Sequence, residues 1–276
     1  MSLSNTSTRI IVSFVAIPAI VVLTYLGKLP FLFFVLAIGL ISYYEFSVIV
    51  RAKDIRINLY LGMIAVSIII INGYKAFIDF KILTVLISLS VLLLELFRNN
   101  KSAIINSGST LIGIYYIGLF SGSLINIREF YSHSGIDYDQ GGLIIISLLA
   151  AIWICDSAAF FLGSAFGKHK LFPRVSPNKT WEGAAAGFVF AILAMIAARI
   201  LVLDFLSWQD VIVFGIIVGI IGQLGDLVES LFKRDAGVKD SSAFIPGHGG
   251  IFDRFDSLLF SSPVVYLYLY FSPVWQ

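Results

Sequence analysis

Residues 211–232 read VIVFGIIVGIIGQLGDLVESLF, an apolar run whose first acidic residue is Asp226. A helix needs about 20 predominantly apolar residues to cross the core of a bilayer. Similar runs recur along the 276-residue chain, in which 58% of the residues are hydrophobic and 13% are charged. Soluble domains carry about 25% charged residues. The composition therefore predicts that lipid is the solvent for most of the protein surface.

The whole chain is predicted to be an all-α, polytopic transmembrane protein with about nine spans. Strands of a transmembrane barrel alternate in polarity over about ten residues, whereas these apolar runs are continuous, which favours helices. The third span is the shortest of the set. The predicted spans are 10–27, 30–50, 58–73, 77–97, 104–127, 142–166, 181–203, 210–232 and 254–271.

The distribution of basic residues predicts how these spans are oriented. Fourteen of the 19 Lys and Arg residues fall on the side of the N-terminus, and only five fall on the other side. Because positive charge is retained inside, the N-terminus is predicted to be cytoplasmic, in an inner or plasma membrane of bacterial type. The loop 127–141 on the other side is predicted to be a solvated hairpin. The net charge of +2 gives no argument for binding nucleic acid.

The segment from Ser230 to Asp256 has the highest density of charged and potentially catalytic residues in the chain. It holds four fixed cations, four carboxylates, one histidine and four glycines within 27 residues. Glycines allow backbone N–H groups to approach an anion, and Lys and Arg bind phosphate oxygens. Carboxylates beside such cations are needed if a magnesium ion accompanies the phosphates. The segment therefore predicts a site for a nucleoside triphosphate with a divalent metal.

Acidic residues at helical spacing flank this segment. Asp253 and Asp256 share a face at the start of the ninth span, where they could also act only as helix caps. Asp226 lies inside the eighth span, where a charge is costly unless it faces protein, water or an ion. Glu229, one turn further, could instead snorkel to the surface or pair with Lys233. Asp226, Asp253 and Asp256 are the predicted metal ligands.

A third set of polar residues surrounds the start of the seventh span. Asp156 lies in the sixth span, and Ser176, Lys179 and Thr180 lead into the seventh, whose N-terminus favours an anion. Thr180 could instead act as a helix cap, and Lys168, Lys170 and Arg174 nearby are better explained as determinants of orientation. Two other intramembrane acids, Glu45 and Glu95, are predicted to be structural, with Arg51 and Arg98 as their basic partners.

The segment 230–256 resembles the signature of phosphatidate cytidylyltransferases, also called CDP-diacylglycerol synthases. That signature runs S-x-x-K-R-x4-K-D-x-S-x2-I-P-x-H-G-G-x-x-D-R-x-D, and every fixed position is present here. The upstream Asp156 and the run from Ser176 to Thr180 are also similar to the family. The N-terminal half matches only as apolar spans.

The resemblance implies transfer of a cytidylyl group from CTP to phosphatidic acid, giving CDP-diacylglycerol and pyrophosphate. It also implies Mg²⁺, one ion or two, and a homodimer. The low net charge, for its part, predicts no nucleic-acid partner. The implied catalytic residues are Asp226, Lys233, Arg234, Lys239, His248, Asp253, Arg254 and Asp256. The implied substrate-binding residues are Asp156, Ser176, Lys179, Thr180, Gly249 and Gly250.

A functional division follows from where these residues lie. Residues 1–140 are predicted to be supporting transmembrane helices, with dimer or lipid contacts, and 141–276 the catalytic region with its cytoplasmic loops. Three alternatives stay open on the residues alone. They are a transporter of an anionic metabolite, a CTP-dependent transferase with another lipid acceptor, such as an ether-linked one, and a scaffold without activity.

Overall fold

The computed structural model describes residues 5–133, 138–239 and 249–272, and most of them are helical. Each predicted span coincides with one helical stretch, with ends that differ by a few residues. The α-helices are α1 Asn5–Leu26, α2 Lys28–Arg51, α3 Leu59–Lys75, α4 Phe80–Leu96, α5 Ala103–Glu129, α6 Asp139–Phe166, α7 Trp181–Leu201, α8 Trp208–Ile216, α9 Gln223–Asp235 and α10 Phe252–Phe271. A 3₁₀ turn, Phe130–His133, follows α5.

Length and hydropathy support the predicted class, a membrane protein that is mainly helical in its described residues. Among the described residues, five helices or helical runs are long and apolar enough to cross a membrane. They are Lys28–Arg51, Ala103–Glu129, Asp139–Phe166, Trp181–Leu201 and Trp208–Asp235. Phe14–Leu26 and Leu59–Lys75 are shorter apolar helices. The count of nine crossings stays a prediction.

The eighth predicted span is one helical run with a change of pitch in its middle. A π-helical turn, Ile217–Gly222, joins α8 to α9. Gln223, the first residue of α9, donates from Nε2 to the carbonyl oxygens of Gly219 at 2.6 Å and of Ala184 in α7 at 3.0 Å. Such turns leave some backbone carbonyls without their usual intrahelical donor. The Gln223 side chain supplies a donor to the Gly219 carbonyl, and its second hydrogen bond holds the helical run against α7.

A short β-hairpin precedes α7, where the sequence predicted only a loop. Strand β1, Lys170–Phe172, pairs antiparallel with β2, Ser176–Thr180. Pro173 and Arg174 lie in the turn, a position that suits the fixed φ of proline. Strand β2 leads directly into α7, so its last residues are held at the start of that helix.

The helices form two compact units, each drawn from several parts of the chain. Unit 1 contains Met1–Leu23, Lys28–Asn126 and Phe232–Phe255, and unit 2 contains Thr24–Gly27, Ile127–Leu231 and Asp256–Gln276. Buried residues of unit 1 include Val35, Tyr43, Ile70, Ile117 and Phe252, and those of unit 2 include Ile144, Leu148, Met195, Phe214 and Leu259. The predicted functional division at residue 140 stays a prediction.

Arg128 in unit 2 is fully buried, so the prediction of a solvated hairpin is wrong for this residue. Its guanidinium donates to the carbonyl oxygens of Thr24 at 2.9 Å, Tyr25 at 2.8 Å and Tyr138 at 2.7 Å. Thr24 and Tyr25 are in the last turn of α1, whose carbonyls lack intrahelical partners. The arginine therefore caps α1 and joins it to the start of α6.

We predict that Arg128→Gln lowers the apparent thermal midpoint in detergent, followed by tryptophan fluorescence. The shorter amide cannot serve three carbonyls, and a buried carbonyl left without a donor costs about 1–3 kcal/mol. Arg174→Gln, which changes an exposed arginine of the same unit, serves as control and leaves the midpoint unchanged. Equal midpoints for the two variants would contradict the capping role of Arg128.

Candidate active site

The predicted site residues divide between the two units, and each set contains a lysine–aspartate pair. Unit 1 holds Lys233, Arg234, Lys239, Gly249, Gly250, Asp253 and Arg254. Unit 2 holds Asp156, Ser176, Lys179, Thr180, Asp226 and Asp256. His248 lies outside the described residues.

In unit 2, Lys179 of β2 is paired with Asp226 of α9. The Lys179 Nζ and Asp226 Oδ2 atoms are 2.5 Å apart, and the two side chains keep 29% and 34% of their surface exposed. Ser230 donates from Oγ to the other carboxylate oxygen of Asp226 at 3.4 Å. An acid in an apolar helical run is tolerated when such a partner balances its charge. The partial exposure leaves this ion pair accessible to a ligand.

Two more aspartates lie within electrostatic range of this pair. Asp256 of α10 is buried, and Asp226 and Asp156 both repel its charge while Lys179 attracts it. Its Oδ1 accepts from the backbone N–H of Ser257 at 2.5 Å. When all are ionised, these three carboxylates and one ammonium carry a formal charge of −2. Such a cluster electrostatically favours a divalent cation.

The chemistry of these donors fits magnesium, which prefers carboxylate oxygens. Within the described ranges, no three His, Cys, Asp or Glu side chains converge into a ready-made metal site. Asp226 is instead held by a lysine. Its carboxylate would therefore have to exchange or share its ammonium partner in order to bind a cation.

A close helix contact brings Asp226 towards Asp256. Gly225 of α9 packs on α10 so tightly that a Cβ there would lie 2.5 Å from Phe260 Cβ and 2.9 Å from the carbonyl oxygen of Asp256. Real Cβ atoms do not come this near to another heavy atom, so only glycine fits without a shift. Because Asp226 directly follows Gly225, this close contact fixes the position of Asp226 relative to α10.

The position of Lys179 depends on the cap of α7. Thr180 is the N-cap, and its Oγ1 accepts from the backbone N–H of Gly183 at 3.2 Å. Gly183 lies against α6, where a Cβ would meet the carbonyl oxygen of Ala159 at 2.7 Å. The predicted role of Thr180 as a cap is confirmed, and its cap fixes the strand end that carries Lys179.

In unit 1, Lys233 at the end of α9 is paired with Asp253 in the first turn of α10. Lys233 Nζ and Asp253 Oδ1 are 2.5 Å apart, and the side chains are only 11% and 13% exposed. Asp253 Oδ2 accepts from the backbone N–H of Gly250 at 3.1 Å. The Gly250 N–H, predicted to bind a phosphate, therefore already has an acceptor in this structure.

Aromatic packing holds both members of this pair. Phe232, next to Lys233, makes edge contacts with Phe46 of α2 and Tyr116 of α5, with centroids 5.9 and 6.1 Å apart. The same Tyr116 contacts Phe252, next to Asp253, with centroids 5.8 Å apart. The N-terminal helices α2 and α5 thus support residues that the sequence assigned to the C-terminal region.

Glu45 of α2 is the residue that sequence reasoning missed. Its carboxylate accepts from the backbone N–H groups of Ile251 at 3.1 Å and Phe252 at 2.7 Å. Arg51, its predicted partner, is six residues away, beyond the spacing of three or four at which helical side chains meet. Glu95 has a partner at that spacing, and its predicted pair with Arg98 is confirmed at 3.0 Å. The number of residues between each glutamate and its nearest arginine therefore distinguishes Glu95, which forms an ion pair, from Glu45, which caps a helix.

The remaining cations of unit 1 are exposed. The side chains of Arg234, Lys239 and Arg254 all reach solvent, and Arg234 donates to the carbonyl oxygen of Val238 at 3.4 Å. In unit 2, Ser176 is half-buried on β2. Glu229 is only 1% exposed, which rules out the alternative that it snorkels to the surface.

Comparison with known proteins identifies the group to which this chain belongs. A model of the cytidylyltransferase family matches residues 7–272, nearly the whole chain. The protein belongs to the cytidylyltransferase family. The resemblance seen in residues 230–256 is confirmed, and the match extends through the N-terminal helices that carry Glu45 and Tyr116.

Relatives of this cytidylyltransferase are similar along most of their length. Phosphatidate cytidylyltransferases of Brucella suis biovar 1 and Bacillus subtilis are each 33% identical to it, over 269 and 270 residues. These matches cover 96% and 95% of this chain and 94% and 96% of the relatives. The enzyme of that name from Staphylococcus saprophyticus is 37% identical over 186 residues, 67% of this chain and 68% of its own.

We predict that Gly225→Ala destabilises this cytidylyltransferase, because the added methyl forces α9 and α10 apart. Overpacking of this kind costs about 1–3 kcal/mol. The apparent thermal midpoint in detergent measures the effect. Gly108→Ala is the matched control, since a Cβ at this helical glycine meets nothing within 4 Å. It leaves the midpoint unchanged or raises it, and a Gly225→Ala variant that behaves like it would refute the close contact.

Proposed function

We propose that this protein transfers the cytidylyl group of CTP to phosphatidic acid and releases pyrophosphate, giving CDP-diacylglycerol for phospholipid synthesis. The observation that carries the proposal is the near-complete match to relatives named phosphatidate cytidylyltransferase. The two lysine–aspartate pairs add chemical support, because lysine can bind phosphate oxygens and aspartate can bind a divalent cation.

The bond changes are simple, and the difficulty is electrostatic. An oxygen of the lipid phosphate attacks the α-phosphorus of CTP, and the bond from that phosphorus to the bridging oxygen breaks as pyrophosphate leaves. The second pKa of a phosphate monoester is about 6, so the group is largely ionised at neutral pH. The nucleophile therefore needs no strong base. Two polyanions must be brought together, and catalysis of this type is mainly positioning and charge stabilisation.

Exchange of ion-pair partners provides that stabilisation. With no substrate bound, each lysine neutralises an aspartate: Lys179 with Asp226, and Lys233 with Asp253. Phosphate oxygens then take over the lysines, and Arg234, Lys239 and Arg254, which are exposed, bind further oxygens. Asp156, Ser176 and Thr180 complete the substrate-binding wall in unit 2. His248 and Gly249 contribute ring and backbone donors to a phosphate. The Gly250 N–H, also predicted to bind a phosphate, can do so only by leaving Asp253 Oδ2.

We assign Asp226, Asp253 and Asp256 to Mg²⁺. Their oxygens are the donors this ion prefers, and Asp226 and Asp256 in unit 2 are close enough to repel each other's charge, which a cation would relieve. Bound there with the nucleotide, the ion would neutralise phosphate charge and steady the leaving group. The aspartates themselves hold their place through Gly225, Ser257 and Gly250.

The locations of the two substrates determine which side of the membrane the active site must face. CTP is cytosolic and phosphatidic acid lies in the inner leaflet, so the site opens to the cytoplasm and laterally to lipid. Nine crossings with a cytoplasmic N-terminus, as the basic residues predict, place the α6–α7 hairpin and the segment 233–253 on that side. The homodimer rests on the family resemblance and the lack of a nucleic-acid partner on the low net charge, and both stay predictions.

Single-cysteine labelling tests this topology, because the chain has only one native cysteine, Cys155. In a Cys155→Ser background, Asp204→Cys and Asp235→Cys place thiols at two exposed positions at opposite ends of the α8–α9 run. An impermeant maleimide applied to intact spheroplasts is expected to label only Asp204→Cys. Asp235→Cys is expected to react after permeabilisation, and the reverse pattern would invert the proposed orientation.

Product formation by the purified protein tests the function itself. With CTP, phosphatidic acid and Mg²⁺, the wild type is expected to give equal amounts of CDP-diacylglycerol and pyrophosphate. Asp226→Asn and Asp253→Asn are expected to abolish turnover while the protein stays folded, because each removes a charge from its cluster. Asp235→Asn is the control: Asp235 also pairs with a lysine, Lys53 at 2.7 Å, but its side chain is 64% exposed.

Normal turnover in Asp226→Asn or Asp253→Asn would overturn the assignment of the aspartates. A wild type that forms no product, yet moves CTP or an anionic lipid across liposomes, would overturn the transferase in favour of a transporter. Higher turnover with an ether-linked acceptor than with diacyl phosphatidic acid would change the lipid substrate and leave the chemistry in place.

A further inference from the structure

Glu45 has an unusual environment for a charged side chain in an apolar helix. It is fully buried in α2, and both of its carboxylate oxygens accept hydrogen bonds from backbone N–H groups 206 and 207 residues further along the chain. A buried carboxylate is costly unless such donors satisfy it. Its donors are Ile251 and Phe252, at the point where α10 begins.

The start of α10 needs an acceptor that its own sequence does not provide. The first N–H groups of a helix lack intrahelical partners, and a side-chain oxygen just before the helix usually supplies one. The residues before Phe252 are Gly249, Gly250 and Ile251, which have no such oxygen. Glu45 therefore caps α10 from another helix, and its negative charge suits the positive end of the helix dipole.

This cap is directly linked to Asp253. Three successive N–H groups are taken by two carboxylates: Gly250 donates to Asp253, while Ile251 and Phe252 donate to Glu45. The backbone that Glu45 holds is thus the same backbone that orients the Asp253 carboxylate towards Lys233. Phe46, the neighbour of Glu45, packs on Phe232, the neighbour of Lys233, which fixes the other side of the ion pair.

We propose that Glu45 is a positioning residue for catalysis: through the N–H groups of Ile251 and Phe252 it holds Asp253 in its working orientation. The inference rests on the proposed function, since it gives Glu45 a part in the cytidylyl transfer that Asp253 serves. Glu45 touches no substrate. Its effect on the reaction passes through the backbone of residues 250–253.

Two variants of Glu45 separate this role from general stability. Glu45→Gln replaces one acceptor oxygen by an NH₂ group, which faces an N–H donor and cannot bond to it. Glu45→Asp keeps the charge but is shorter by one methylene, so it reaches at most one of the two N–H groups. Glu95→Gln is the matched control, since Glu95 is also a buried glutamate of unit 1, bonded to Asn106 at 2.9 Å and Arg98 at 3.0 Å.

Hydrogen–deuterium exchange and steady-state kinetics give independent readouts. Glu45→Gln is expected to speed amide exchange at residues 251–252. It is expected to lower kcat about 10- to 100-fold and to raise the Mg²⁺ concentration needed for half-maximal turnover, as losses of outer hydrogen bonds to metal-binding carboxylates do. The KM for phosphatidic acid is expected to stay within about twofold of the wild type, because lipid affinity needs no ordered Asp253. Glu45→Asp is expected to fall between the wild type and Glu45→Gln.

The outcomes distinguish the inference from the function on which it rests. A wild type without product overturns the proposed function. An active wild type, with Glu45→Gln unchanged in kcat and Mg²⁺ requirement, overturns only the positioning role. Equal losses in Glu95→Gln would show a structural effect and would also overturn it. If Glu45→Gln fails to fold, Glu45→Asp decides: unchanged kcat in that variant, despite faster exchange at 251–252, contradicts the proposal.

Discussion

A charged or polar group inside an apolar helical protein needs a partner within hydrogen-bond distance, and this constraint organises the described structure. Arg128 satisfies it with three carbonyl oxygens and Glu45 with two backbone N–H groups. In both cases the partners are helix ends, where backbone groups lack intrahelical bonds. The hydrogen bonds that satisfy each buried charge are therefore also the ones that cap a helix. Each of these charges connects segments that are distant in sequence.

The lysine–aspartate pairs meet the same constraint in a different way. Their partners are side chains of opposite charge, which can be exchanged for a phosphate or a cation without breaking a helix end. Lys179 and Asp226 also keep about a third of their surface exposed, whereas Glu45 and Arg128 keep none. Lys233 and Asp253 are only 11% and 13% exposed, so an exchangeable partner, rather than exposure, is what the two pairs share. Complete burial with backbone partners marks the groups that hold the others in place.

Local sequence was enough to predict the helices, because each apolar run is a property of about 20 adjacent residues. It was also enough for the pair Glu95–Arg98 and the cap at Thr180, whose partners lie three residues away. The cap on α10 could not be predicted, since Glu45 and Ile251 meet only through tertiary packing. The π turn and the β-hairpin were not predicted for a related reason: each depends on hydrogen bonds that a hydropathy pattern does not reveal. Within the site, the sequence named the lysines and the aspartates but not which of them pair, because each pair joins residues 20 or 47 positions apart.

The role of the N-terminal half follows from these contacts. Its helices read as generic apolar spans, yet α2 contributes the cap of α10 and α5 contributes Tyr116, which packs on both Phe232 and Phe252. Rings adjacent in sequence to Lys233 and Asp253 are thereby fixed by residues more than a hundred positions earlier. The proposed mechanism requires the Lys233–Asp253 pair to keep its geometry while its partners exchange, and a rigid surrounding backbone would serve that need. The contacts of α2 and α5 restrain this backbone, with one buried acid placed where it would otherwise lack an acceptor.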